Sequence, residues 1–322
     1  MSLFNKIQGI WQDNNIEFEK KLNIWLDTLN YGAEFLRITK KEFHRWAPLR
    51  TYVSVTKTKS RKKGLFSLRF FGQEVANLSV YNKDVFLELA GHEHKNKKWF
   101  NVSLADGCYS WKGKEAKKFR ADFKVLACFK KGMPEVKSVE HRVESKFIIE
   151  MCKGSGKFGI KNLRIQPVMI AGKFPLQIPV PISANTGEPK AGNGYIDILA
   201  RHRLKDNKTN LSVWELKKPG AYQHAASQAY IYAVTLLQII RNSRRGSEWF
   251  RLFGFNSKIP KSLEVEAVVA IDRNQKDRFE RERSMLEKTA PFRIANDKIR
   301  LLAAYYKEKS NAIILEQDPF IV

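Results

Sequence analysis

GYIDILARHRLKDNKTNLSVWELKKPG, residues 194–220, and the stretch AYQHAASQAYIYAVTLLQIIRN that follows it, residues 221–242, decide the fold. Two apolar runs, 195–204 and 211–217, flank the polar turn KDNKTN and read as the strands of a hairpin. Centring that turn near Asn207 lands Asp197 opposite about residue 217, so Asp197 and the Glu215-Leu216-Lys217 triplet face one another. Side chains alternate across a strand, which puts Glu215 and Lys217 on one face and Trp214 and Leu216 on the other. The run Val213 to Leu216 is apolar enough to place this strand in the middle of a sheet, where a buried charge needs a reason. The 221–242 segment reads as a helix.

Two carboxylates a few ångströms apart repel, and each loses hydration on burial unless a cation lies between them. Mg²⁺ suits that position, because it takes carboxylate and carbonyl oxygens while keeping several waters. A metal held this way lowers the pKa of a bound water and counters charge on a phosphate, and a neighbouring lysine steadies the water or the developing charge. Phosphodiester hydrolysis uses each of these parts.

Outward from this centre, VEHRVESKFIIEMCKG reads as a helix ended by Gly154, and NLRIQPVMIAG as a strand before a Pro/Gly-rich loop, 174–194. LEVEAVVAID, IRLLAAYYKEK and NAIILEQD read as further strands, with QKDRFERERSMLEK a charged surface helix before the last two. The order is that of an α/β domain around a mixed central sheet flanked by helices, over residues 134–322. In front of the linker GMPEV, residues 1–133 read as a basic α+β domain. One or two helices cover 3–46, with Phe18, Leu22, Trp25, Leu26 and Leu29 at helical spacing, and four to six antiparallel strands begin at Thr51. A basic amphipathic helix spans 111–132.

Among 322 residues, 58 Lys and Arg face 33 Asp and Glu, a net charge of +25, with 43% hydrophobic residues and seven tryptophans. That composition excludes a disordered chain. The excess is shared: 26 basic against 13 acidic residues up to Met133, 32 against 20 beyond it. Both parts therefore attract polyanions, nucleic acid first. The densest basic stretch, 51–134, offers Lys57, Lys59, Arg61, Lys62 and Lys63 in one loop and Lys112 and Lys114 at the head of the 111–132 helix as phosphate-gripping candidates. No run of 18 apolar residues occurs and the N-terminus lacks a basic-then-apolar leader, so a cytoplasmic protein without a membrane segment is expected. Cys108, Cys128 and Cys152 are too few and too scattered for a disulfide framework, a zinc site or an iron–sulfur cluster. GSGKFG, 154–159, fails the phosphate-loop spacing, and His92-Glu93-His94 reads as a loop with incidental histidines.

Gly194-Tyr195-Ile196-Asp197 followed by Glu215-Leu216-Lys217 resembles the signature of the PD-(D/E)xK nucleases, the restriction-endonuclease-like fold, over about residues 135–322. The resemblance implies metal ligation by Asp197 and Glu215, the Leu216 carbonyl as a third ligand, and Lys217 as the catalytic lysine. Many members add a glutamate from the helix before the sheet, which Glu144 matches best, with Glu140 and Glu150 as rivals. Gln228-Ala-Tyr-Ile-Tyr232 is similar to the Gln-x-x-x-Tyr motif of RecB-type exonucleases, which implies support of the site by Gln228 and Tyr232. WELKKPG before such a helix is also similar to the nuclease domains of prokaryotic antiphage systems such as Shedu. The expectation is thus a Mg²⁺-dependent nuclease, with Mn²⁺ as substitute and no iron–sulfur cluster, cutting DNA in restriction or defence. RNA fits the charge as well. The alternatives are a catalytically silent nucleic-acid-binding protein on the same fold, or an effector nuclease switched on by a signal or partner protein. A homodimer is compatible with each.

Overall fold

The computed structural model describes residues 1–42, 49–60, 62–91, 99–128, 138–152, 164–171, 174–256, 258–309, 312–316 and 319–320. GMPEV, GSGKFG, His92-Glu93-His94 and Arg61 lie outside the described residues. The elements in order are α1 (Leu3–Asp13), α2 (Asn15–Phe35), a 3₁₀ turn (Leu36–Glu42), β1 (Leu49–Tyr52), β2 (Gly64–Phe70), β3 (Gln73–Tyr81), β4 (Asp84–Leu89), β5 (Gly107–Ser110), α3 (Lys114–Cys128) and α4 (Val139–Cys152). Then come β6 (Ile165–Pro167), β7 (Met169–Ile170), β8 (Phe174–Pro175), β9 (Ile178–Ser183), β10 (Lys190–Ile196), β11 (Ile198–Arg203), β12 (Thr209–Leu216), α5 (Ala225–Asn242) and α6 (Gly246–Leu252). The chain closes with β13 (Glu264–Asp272), α7 (Lys276–Thr289), β14 (Arg293–Ile294), β15 (Asp297–Lys309) and β16 (Ala312–Leu315).

The chain divides into two compact units, and the division is not the expected one at 133/134. One unit holds residues 1–23, 150–168 and 177–322; the other holds 24–149 and 169–176. Two packing facts explain the interleaving. α1 joins the first unit because it lies against α5 and β10, with Ile7 and Trp11 buried. The β7–β8 hairpin joins the second because Val53 donates its N–H to the Pro175 carbonyl at 3.0 Å and bridges Leu176.

The second unit carries a five-stranded antiparallel sheet in the order β1-β2-β3-β4-β5, within the expected number of strands. Its core is aromatic: Phe70 meets Phe100 and Phe123 at 5.0 and 4.8 Å between ring centroids. α3 begins at Lys114 rather than at Trp111, and residues 129–132 of the helix expected over 111–132 lie outside the described residues.

The first unit is built on a mixed sheet in the order β14-β15-β13-β12-β11-β6, with β16 paired to β15. β12, β13 and β15 run parallel, the others antiparallel to their neighbours. Parallel neighbours need crossovers, and α5 with α6, then α7, supply them. α5 is buried almost all round, Ala225 to Ile240 except Ser227, because α1, β9 and the central strands surround it. This is why its sequence is apolar on every face. The expected loop 174–194 contains two paired strands, β9 and β10. Among the described residues β9 pairs with β10 alone, and prolines such as Pro179 and Pro181 are tolerated in a strand at the edge of a sheet.

Candidate active site

Ile198 pairs with Trp214, which sets Asp197 level with Glu215 rather than with residue 217. The two-residue difference comes from the turn, which closes early: Leu204 donates to the Lys208 carbonyl at 2.8 Å and Asn207, at φ +65°, donates to Leu204 at 3.1 Å. Asp197 is itself the break between β10 and β11. Its Oδ2 accepts the Leu216 N–H at 2.8 Å. In a strand the N–H and C=O of one residue point the same way, so the Leu216 carbonyl is also turned to the Asp197 side. The next residue is turned to the other side. Lys217 donates its N–H to the Ala270 carbonyl at 2.9 Å, and its own carbonyl accepts the Tyr306 hydroxyl at 2.6 Å.

The Lys217 ammonium contacts Glu215 Oε1 at 2.9 Å and donates to Gln228 Oε1, with side chains only 13% and 6% exposed for Lys217 and Glu215. Removing one member of so buried a pair leaves an uncompensated charge, at a cost of about 3–5 kcal/mol. Gln228 lies on the first turn of α5 and Tyr232 one turn further on. Burial, and then the negative charge of Glu215 and Asp197, holds the Tyr232 phenol above its ordinary range; hydrogen bonds from the Ala184 and Tyr195 backbone oppose this. Gly194 lets the helix come that close. A Cβ there would lie 2.3 Å from the Ile182 carbonyl oxygen and 3.0 Å from Tyr232 Cε1.

Asp197, Glu215, Lys217, Gln228 and Tyr232 therefore belong to one unit and one neighbourhood. Glu144 is placed in the other unit, where its buried carboxylate faces Arg69 Nη1 at 3.4 and 3.5 Å. Of its rivals, Glu140 is exposed and also in that unit, whereas Glu150 is buried and belongs to the unit of Asp197.

Two residues join the neighbourhood that the sequence did not single out. Glu282 on α7 accepts the Ala226 N–H at 3.1 Å, tying down the start of α5. Burial pushes its carboxyl up, while the backbone of Ala226 and Ser227, His224 and Lys217 pull it down. Tyr306 anchors the Lys217 carbonyl from β15. Glu282 sits in a run of nine charged residues in fourteen, so only the tertiary contact sets it apart.

Among the described phosphate-gripping candidates, Lys59, Lys62, Lys112 and Lys114 are exposed. Lys57 is paired with Glu74 at 2.7 Å and Lys63 with Glu88.

Among the described residues no group of three or more His, Cys, Asp or Glu is arranged to hold a metal ion. Asp197 and Glu215 with the Leu216 carbonyl form a smaller donor set, two carboxylates and one carbonyl across a paired register. That set fits Mg²⁺, which binds through one or two carboxylates and retains waters, and does not fit zinc, which prefers nitrogen and sulfur. No helix among the described residues is long and apolar enough to cross a membrane. No family model matches the chain, and neither does any curated protein or solved structure.

Proposed function

We propose that the protein is a metal-dependent nuclease of the PD-(D/E)xK type that hydrolyses DNA phosphodiester bonds, in restriction or defence against foreign DNA. The observation that carries this reading is the double anchoring of Lys217 by Glu215 and Gln228 with Asp197 facing Glu215 across the hairpin. An isolated surface charge pair has no use for a second, buried tether. Asp197, Glu215 and the Leu216 carbonyl would hold Mg²⁺, which supplies an acidified water and a counter-charge for the phosphate.

The chain's own groups do the rest. Glu215 and Gln228 hold the Lys217 ammonium beside the two carboxylates, where it would steady the attacking water or the charge on a phosphate oxygen. Gln228 reports the position of α5 to the lysine, and Glu282 fixes the end of α5 that carries Gln228. The positive charge of the whole chain draws the polyanion in.

Supercoiled plasmid incubated with Mg²⁺ or Mn²⁺ tests the reading. Wild type is expected to cut; Lys217→Ala and Asp197→Asn are expected to lose cutting by a factor on the order of 10² or more while retaining DNA on a filter. Cutting by either variant at the wild-type rate would remove the site assignment. Retention without cutting by wild type, with either metal, would favour the silent binding protein.

A further inference from the structure

Within the second unit lies a pocket of about 700 Å³ lined by Asp27, Asn30, Tyr31, Lys62, Tyr81 and Asn82. That size falls within the roughly 300–1,000 Å³ of small-ligand sites. Its walls are regular structure. Asp27, Asn30 and Tyr31 share one face of α2, at the spacing that brings residues three and four apart together. Tyr81 ends β3 and Asn82 opens the two-residue turn to β4, with φ +47° at Asn82 and +68° at Lys83, the left-handed pair of a tight hairpin. Lys62 sits in the turn before β2, its N–H donated to Ser60 Oγ at 3.2 Å. Beside Tyr31, a Cβ on Gly32 would lie 2.8 Å from the Phe66 ring, so α2 is pressed against β2 next to the pocket.

The lining chemistry is specific. Tyr31 is 46% and Tyr81 48% exposed, although each adjoins fully buried neighbours in its own element. No ion pair engages Lys62 among the described residues, while Lys57 and Lys63 are each taken by a glutamate. Asn30 and Asn82 are both exposed. A hydrophobic ligand has no use for the ammonium, the carboxylate and two amides, and a bare phosphate none for two rings. A nucleotide uses each part: a flat base to stack, donors and acceptors along its edge, and a phosphate for the lysine.

We propose that this pocket binds a nucleotide, the base against Tyr31 and Tyr81, its edge on Asn30, Asn82 and Asp27, and its phosphate on Lys62. The ligand is a free nucleotide or a nucleotide unit of a single strand, which share this chemistry. The inference goes beyond the nuclease reading and does not rest on it.

Calorimetric titration of the full chain in EDTA, where metal-dependent cutting is silent, decides. The probes are AMP, GMP, CMP and UMP, the corresponding nucleosides, and a ten-residue oligothymidylate. Saturable binding is expected for a monophosphate, for the oligonucleotide, or for both. Tyr31→Ala and Tyr81→Ala should each weaken it about 5-fold or more, the range of single base–aromatic stacks, and Tyr31→Phe should not. Lys62→Ala should weaken nucleotide binding and leave nucleoside binding unchanged. Monophosphate binding identifies a free nucleotide; oligonucleotide binding alone, with the same losses, identifies a strand. Saturation by no probe up to about 5 mM, a weak affinity by any measure, would overturn the proposal, as would affinities that survive all three truncations. Every substituted side chain is exposed, so the fold is not at stake, and cutting by the nuclease site is assayed separately.

Discussion

Glu144 shows how a carboxylate can be buried without becoming a strong ion-pair partner. Arg69 lies at 3.4 and 3.5 Å, too far for a charge-assisted bond of the usual 2.7–2.9 Å, and Arg69 also donates to Ser67 Oγ at 3.2 Å. Desolvation therefore outweighs the guanidinium, and the neighbouring Glu140 charge adds to it, so the carboxyl is pushed up to about 7. The sign of the consequence follows. The folded chain keeps the Glu144 proton up to about pH 7, whereas the unfolded chain releases it near the ordinary 4.5, so the native state binds more protons between those values. Stability contributed here is full below about pH 4.5 and is lost as pH rises through 7, a change of about 3 kcal/mol at 1.36 kcal/mol per pKa unit. Urea midpoints of wild type should fall between pH 5 and 8, and those of Glu144→Gln should fall less. Parallel curves for the two proteins would refute the assignment.

At the scale of elements, Gly194 sets the distance between the β9–β10 hairpin and α5. Gly194→Ala drives a methyl into the Ile182 carbonyl and the Tyr232 ring, and overpacking of this kind costs about 1–3 kcal/mol. Gly9→Ala on α1, with nothing within 4 Å of the new Cβ, is the converse case and should gain about 1 kcal/mol from helix propensity. Opposite shifts in urea midpoint are expected, and a raised midpoint for Gly194→Ala would contradict the contact. The same elements show what was legible in advance. Short apolar runs marked β11, β12, β13 and β15, and a long apolar run marked α5, because burial on both faces leaves an unmistakable composition. β9 is hidden by Pro179 and Pro181, which argue for a loop unless the strand is known to lie at the edge of a sheet. Asp197, Glu215 and Lys217 were readable from alternation alone, but their register was off by two residues because turn hydrogen bonds, not turn composition, set it. The unit of Glu144, and the roles of Glu282 and Tyr306, depend on contacts between residues 75 to 89 apart or more than 50 apart, which no local pattern encodes.

For the molecule as a whole, +25 predicts salt-sensitive binding to duplex DNA, with log K falling by about 0.9 for each phosphate contact per decade of salt. Lys112 and Lys114 are exposed at the start of α3. Replacing both with Glu should lower the slope of that line by about 2 if they grip phosphate, read from filter binding across a salt series; an unchanged slope would place the contacts elsewhere. The interleaved units impose a further condition, on the order in which the chain is made. α1 ends at Asp13 and α5, the helix it lies against, begins at Ala225, some 210 residues later. Trp11 meets Phe18 of α2 at 5.6 Å between ring centroids as soon as both are made, but at the roughly 5–20 residues per second of ribosomal synthesis α5 follows only about 10–40 s later. The whole of the second unit emerges in that interval. Biogenesis of this protein therefore includes a stage in which α1 carries an apolar face on a growing nascent chain before the helix that will cover it exists.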